Sequence, residues 1–221
     1  MTVTPESVQQ LISSADYGDR IRAINQLNHL DPAIAFQLVQ PAITDANPRV
    51  RYSAVCKMAT LGTQDLTQSL AVLRDRLHHD SELDVKAAAA DALGALKIPE
   101  AFDDLHQVYY GTSDWIIQLS IVAVLGEMGD PRCWEILQDA LHSSKELLRG
   151  SAISALGELG DPRAVESLLP FATYDDWQVR FRVAQALGRL GTDAARATLE
   201  TLARDTSDIV VQEAKQYLTE G

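Results

Sequence analysis

Cysteine is scarce in this chain. Cys56 and Cys133 are the only two in 221 residues, too few for a disulfide framework and too far apart for a C-x-x-C metal or redox pair. They read as two reduced thiols in a cytoplasmic protein. Basic residues are also short: 19 Lys and Arg stand against 31 Asp and Glu, for a formal net charge of −12. Proteins that grip nucleic acid neutralise phosphates with a basic surface, so this balance argues against a nucleic-acid partner and against an anionic membrane. No apolar run approaches the length of a membrane span, and Met1 to Gln10 are polar, so neither membrane insertion nor a signal segment is expected. His29, His78, His79, His106 and His142 form no His-Glu dipeptide and no i, i+4 pair, so no metal site is expected. Ser-His-Asp and Gly-rich phosphate signatures are missing, strand signals are nearly absent, and no Pro/Gly/Ser-rich linker marks a second domain.

What the chain does have is a repeat. Leu148 to Pro162 reads L-R-G-S-A-I-S-A-L-G-E-L-G-D-P. Leu148, Ala152, Ala155, Leu156 and Leu159 share one helical face, and the small Ala side chains and Gly157 on it admit a second helix closely. Gly160 suits a left-handed helix stop, Asp161 suits a cap, and Pro162 suits a first turn. Taking Leu148 as an anchor, its equivalents are Asp19, Val50, Val85, Ile117, Val179 and Val210. Four residues after each anchor stand Ala23, Ala54, Ala89, Ile121, Ala152, Val183 and Ala214. Eight after stand Leu27, Met58, Leu93, Leu125, Leu156, Leu187 and Leu218. A period near 31 that holds this well specifies a repeat array.

The fold expected is all-α: a right-handed superhelical solenoid of about seven helix pairs in one domain over residues 1–221. The repeats run roughly 1–31, 32–62, 63–97, 98–129, 130–160, 161–191 and 192–221. The paired helices are expected at 5–14 and 17–30, 32–43 and 47–61, 65–78 and 81–96, and 99–110 and 114–128. The last three pairs are expected at 131–142 and 145–159, 162–173 and 176–190, and 193–204 and 207–219. Thr4-Pro5 and Asn47-Pro48 are helix starts, and the Lys97-Ile98-Pro99 connection departs from the Gly-Asp-Pro turn. The second helix of each pair is expected to line a concave binding face.

Arg20, Arg51, Lys86, Arg149 and Arg180 each follow an anchor by one residue, and Gln118 and Val211 interrupt the series. This ladder has two readings. It pairs with carboxylates or carbonyls of the preceding turn, such as Asp45, Asp80 or Asp176, or its guanidinium forks hold the anionic arms of a ligand. Tyr17, Trp115 and Trp177 stand two residues before an anchor, and Tyr52 and Phe181 two after. These positions lie off the apolar stripe. They cover the seam between repeats or, with Arg180 and Arg182 beside Trp177, offer flat apolar surface to a planar, acidic ligand. Glu127 and Glu158 share one offset in neighbouring repeats and read either as turn stabilisers or as an acid/base pair. Asp91, alone on an Ala-rich face, reads as solvated, and Cys56 as a small packing residue or a nucleophile.

The unit with A-L-G-E-L-G-D-P, clearest at Ile117 to Asp130, Leu148 to Arg163 and Val179 to Gly191, resembles the short HEAT-like repeat of the E-Z type. One family built on that repeat, deoxyhypusine hydroxylase, holds iron on His-Glu dipeptides, which are absent here. The acidic chain of this length, with its start T-P-E-S-V-Q-Q-L-I-S-S, is more similar to the cyanobacterial phycobilin lyases, and within them to the phycobilisome-degradation (non-bleaching B) type. That resemblance implies a protein that docks on phycobiliprotein subunits and detaches or transfers their linear tetrapyrrole, a phycocyanobilin-type bilin, with no other cofactor. Tyr52, Trp115, Trp177 and Phe181 would then stack on the bilin. Arg149, Arg180 and Arg182 would hold its propionates, and Glu127 or Glu158 would move a proton in a retro-addition. The competing expectation is a non-catalytic scaffold whose concave face holds a protein.

Overall fold

The computed structural model describes residues 3–220. Fourteen α-helices and no strands occur among them. They are α1 (Pro5–Ile12), α2 (Tyr17–Gln26), α3 (Pro32–Ile43), α4 (Pro48–Leu61), α5 (Leu66–His79), α6 (Leu83–Ala95) and α7 (Phe102–Gly111). They continue as α8 (Trp115–Met128), α9 (Trp134–Leu141), α10 (Glu146–Leu159), α11 (Ala164–Leu168), α12 (Trp177–Leu190), α13 (Asp193–Leu202) and α14 (Asp208–Glu220). Each expected pair is present, with the even-numbered helices as the second helices of a HEAT-like solenoid. By contact density the chain divides after Ile121, inside α8, into two compact units. In the first, α1 packs on α2, α3 on α4 and α5 on α6, and the second helices α2, α4 and α6 pack in succession. In the second, α9 packs on α10 and α13 on α14, and α10, α12 and α14 pack in succession.

The repeat register sets the core. All seven residues four after an anchor, from Ala23 to Ala214, are fully buried. Of those eight after an anchor, Leu27 to Leu187 are buried, and only Leu218, in the last helix, is half-exposed. Each such Leu contributes about 1.5–3 kcal/mol when fully buried. Gly157 holds the close approach its sequence suggests: a Cβ there would fall 2.6 Å from the Ala186 Cα. Gly126, one repeat earlier, stands the same way against Ala155, at 2.7 Å.

Caps fix where the helices begin. The Thr4 hydroxyl accepts from Ser7 N while the Ser7 hydroxyl accepts from Thr4 N, a closed capping box ahead of Pro5. Asp16, Asn47 and Asp176 accept from backbone amides at the starts of α2, α4 and α12. Two expected helices are shorter than their patterns. The α-helix of the first repeat's second half ends at Gln26 and tightens into a 3-10 turn over Leu27–His29. The segment expected at 162–173 is α-helical only over Ala164–Leu168, then 3-10 over Leu169–Thr173. Pro170 lacks the amide that would continue the ladder. Gly129, Gly160 and Gly191, all twelve after an anchor, take φ of 67°, 71° and 60° and stop their helices in the left-handed region. In the third repeat that place is filled by Lys97, at φ 50°.

Candidate functional site

The cations one residue after the anchors are mostly committed to the fold. Arg20 donates through Nε and Nη2 to both Asp45 oxygens, at 2.6 and 2.9 Å, and through Nη1 to the Ser14 and Ala15 carbonyls. Arg51 does the same to Asp80, at 2.8 Å twice, and to the Asp45 and Ala46 carbonyls. Arg180 repeats it on Asp205, at 2.7 and 2.8 Å, and on the Tyr174 and Asp175 carbonyls. The carbonyls come from the turn before the cation's own helix, as its sequence suggests. The carboxylate comes from the turn of the following repeat, and Asp176 instead caps α12. With a further contact to Thr206, all the donors of Arg180 are engaged, so the propionate-holding role expected for it has no free donor to use. Lys86 donates to the His78 carbonyl.

Arg149 is the exception among the arginines. The position filled by Asp45, Asp80 and Asp205 is Tyr174 in the sixth repeat. The Arg149 guanidinium therefore lies over the Tyr174 ring, 4.9 Å from its centroid, and donates Nη1 to the Ser143 carbonyl at 3.3 Å. Its buried Nε has no hydrogen-bond partner. On the next second helix, Arg182 is exposed and its Nε would stand 3.4 Å from a Cβ on Gly150, so it lies across the residue after Arg149. Trp177, the first residue of α12, is 39% exposed, and Phe181 one turn on is half-buried. Arg149, Arg182, Trp177 and Phe181 thus share the α10 and α12 faces of the second unit. Glu158, exposed at the far end of α10, is ion-paired with Arg189 at 3.0 Å, 31 residues on. Glu127 is exposed, one repeat earlier.

Tyr52 and Trp115 belong to the first unit. Trp115 opens α8 and is 38% exposed. Tyr52, on α4, lines an open groove of about 480 Å³ together with Ile21, Pro48, Arg49, Glu82, Asp84 and Val85. Cys56, one turn beyond Tyr52, is exposed at the surface. Desolvation by the surrounding atoms raises its thiol pKa, the Tyr52 hydroxyl lowers it by hydrogen bonding, and the charge of Asp91 raises it. A thiol held in its protonated form is a poor nucleophile, so the chemistry favours the packing reading of Cys56.

Asp91 is exposed, as its solvated reading expects, though neighbouring atoms crowd one side of its carboxyl. Desolvation raises its carboxyl above the ordinary Asp value, opposed by a hydrogen bond from Ser120 on α8. The register offered the missing signal: Asp91 follows Val85 by six residues, as Cys56 follows Val50, so the two meet on adjacent second helices. Cys133 is fully buried, and burial pushes its thiol up to about 12. No group of three His, Cys, Asp or Glu among the described residues is arranged to hold a metal ion, and no helix among them is long and apolar enough to cross a membrane.

The profile of HEAT repeats matches residues 4–94, 70–156 and 135–219, which together take in almost the whole chain. The chain belongs to the HEAT-repeat family. No curated protein matches this HEAT-repeat sequence. Among solved structures, the complex of CpcE and CpcF of phycocyanin lyase from Nostoc sp. PCC7120 is similar at 20% identity and TM-score 0.67, over 100% of this chain and 88% of that one. The Escherichia coli protein YibA is similar at 13% identity and TM-score 0.59, over 99% and 93%. A chain of the Kap95p–RanGDP complex is similar at 12% identity and TM-score 0.62, over 97% of this chain and 35% of that one. At these identities the likeness is one of fold.

Proposed function

We propose that this HEAT-repeat protein is bilin lyase-like: it docks on a phycobiliprotein and detaches or transfers the linear tetrapyrrole, in the course of phycobilisome degradation. The observation that carries the reading is the end-to-end correspondence with the phycocyanin lyase CpcE–CpcF structure, at TM-score 0.67 over the full chain. The second unit supplies suitable chemistry. Trp177 and Phe181 present flat apolar surface, and Arg149 and Arg182, on the same α10 and α12 faces, are paired with no carboxylate among the described residues. They suit a long planar ligand with two carboxylate arms. Arg180, fully engaged with Asp205 and the Tyr174 and Asp175 carbonyls, holds the turn beneath them in place.

Loss of a bilin from its thioether is a retro-addition. A base takes the proton on the carbon next to the C–S carbon, the C–S bond breaks, and the departing thiolate takes up a proton. Glu127 and Glu158 are the candidates for that transfer, and Glu158 must first leave Arg189.

The test is to mix the purified protein with intact phycocyanin and follow visible absorbance and protein-bound bilin fluorescence. Bleaching of the biliprotein with free bilin recovered supports the reading, and Trp177→Ala and Arg149→Ala should then slow it by about tenfold or more. Co-elution on a sizing column without spectral change would favour the scaffold instead. That second reading rests on one feature: large apolar residues stand exposed at the starts of the second helices, including Tyr17, Leu83, Trp115, Leu147, Trp177 and Ile209.

A further inference from the structure

The groove of the first unit has a chemistry of its own. Its apolar lining is Ile21, Pro48, Tyr52 and the buried Val85, drawn from the three successive second helices α2, α4 and α6. Tyr52 is 46% exposed and lines the groove, so part of its side chain is accessible to a ligand. Glu82 and Asp84 stand on the same wall, with Arg49 as the one cation in the lining. The Tyr52 hydroxyl also feels the charge of Asp84 and Asp91, after the larger influence of Cys56, so a third carboxylate lies within its electrostatic reach.

These carboxylates differ from many others in the chain. Asp45, Asp80, Asp104, Asp130, Asp161 and Asp205 each hold an arginine. No ion pair is found for Glu82, Asp84 or Asp91 among the described residues: Glu82 accepts from Ser81 and acts on Arg51 only through its charge, and Asp91 accepts from Ser120. Carboxylates beside an open aromatic face attract a cation that can both stack and fork. Guanidinium does both, whereas an ammonium is a compact, strongly hydrated point charge.

Two features point to a protein segment rather than a small ion. The volume, about 480 Å³, is far larger than a guanidinium. Exposed apolar residues also continue from the groove: Leu83 lies between Glu82 and Asp84, and Tyr17 one turn before Ile21, at 46% and 43% exposure. We propose that the α2–α4–α6 groove is a docking site for an arginine-bearing segment of a partner protein, whose guanidinium lies on Tyr52 and faces Asp84 and Glu82 while its neighbouring apolar side chains lie on Tyr17 and Leu83. The inference is independent of the bilin reading, because it concerns the other unit and an occupant of opposite charge.

The experiment is amide NMR on the full chain, titrated with three capped peptides, Leu-Arg-Leu, Leu-Lys-Leu and Leu-citrulline-Leu, at fixed ionic strength. The arginine peptide should shift the amides around Tyr52, Asp84 and Val85, bind about threefold or more tighter than the lysine peptide, and outbind citrulline more strongly still. Tyr52→Ala and Asp84→Asn should each weaken it about fivefold while leaving the rest of the amide spectrum in place, which separates lost binding from lost folding. Three outcomes would overturn the proposal: no shifts in the groove at millimolar peptide, equal binding of arginine and lysine, or affinity unchanged in Tyr52→Ala. Phycocyanin bleaching is read separately, so failure of the groove and failure of the lyase reading are distinguishable.

Discussion

Arg149 lies over the ring of Tyr174, 4.9 Å from its centroid, at the repeat position where Arg20, Arg51 and Arg180 each grip an aspartate. The repeat register thus withholds the carboxylate from one arginine and leaves its buried Nε unpaired, with Arg182 lying across the adjoining Gly150. Tyr174→Asp should restore the fork. Thermal unfolding should then show a gain of about 1 kcal/mol, at the upper end for a partly exposed pair. In the same variant Arg149 becomes committed, so bilin-directed activity should fall although the protein is more stable. A variant that gains stability and keeps full activity would remove Arg149 from the binding site.

Asp80 carries the best-shielded of these pairs. Its side chain has no solvent exposure, and it accepts from Arg51 through both oxygens and from Arg76 at 3.1 Å. Burial pulls its pKa up, but the hydrogen bonds from Arg51 and the Glu82 amide prevail and hold it below the ordinary Asp value. A depressed folded pKa contributes stability above the unfolded value, about 3.9, and that stability is lost as pH falls through the lower folded value. Asp205, held down by Arg180, acts in the same direction. Denaturant unfolding should show a wild-type stability that declines below about pH 4. Asp80→Asn should cost roughly 3 kcal/mol at neutral pH, because Arg51 stays buried without its counter-charge, and should flatten part of that acid decline.

The register of the core was open to reading because one number, the period of 31, places every anchor, and the residues four and eight later are then buried without further information. The ends of α2 and α11 were less open. The first yields to a 3-10 turn at Leu27, and the second to Pro170, whose effect on the ladder outweighs the apolar pattern around it. The candidate site was legible residue by residue but not in its commitments. Arg180 and Arg149 look alike in the chain, and only Asp205 against Tyr174, 25 residues further on, separates an engaged cation from an available one. Asp91 is exposed as its pattern suggests, but its neighbours, Cys56 and Ser120, come from other helices and could not be read from the chain around it.

Lys97 offers a test of the turn logic. It occupies the left-handed place taken by glycine in the next three repeats, at φ 50° against 60–71°. A side chain there costs about 1 kcal/mol relative to glycine. Lys97→Gly should therefore raise stability by up to about 1 kcal/mol in denaturant melts, less what the freer unfolded chain takes back. Gly160→Ala should lose a similar amount by the same strain, although a Cβ there meets no atom within 4 Å. Opposite signs from two such chemically similar exchanges would isolate backbone strain from packing. A loss on Lys97→Gly would mean that contacts of the lysine stem outweigh it.

The two cysteines separate by environment, and a thiol reagent at pH 8 should count them in order. Cys56 is exposed, whereas Cys133 is fully buried with its thiol pushed up to about 12. One thiol should react in the folded protein and the second only when denaturant is added. The first should still be slower than a free thiol, because desolvation raises its pKa and the Asp91 charge adds to it, against the opposing hydrogen bond from Tyr52. The thiolate is the reactive form, so each influence has a sign that substitution can read. Asp91→Asn removes a raising charge and should speed Cys56 a few-fold. Tyr52→Phe removes the bond that favours the thiolate and should slow it. If both variants react at the wild-type rate, Asp91 does not face Cys56 across α4 and α6.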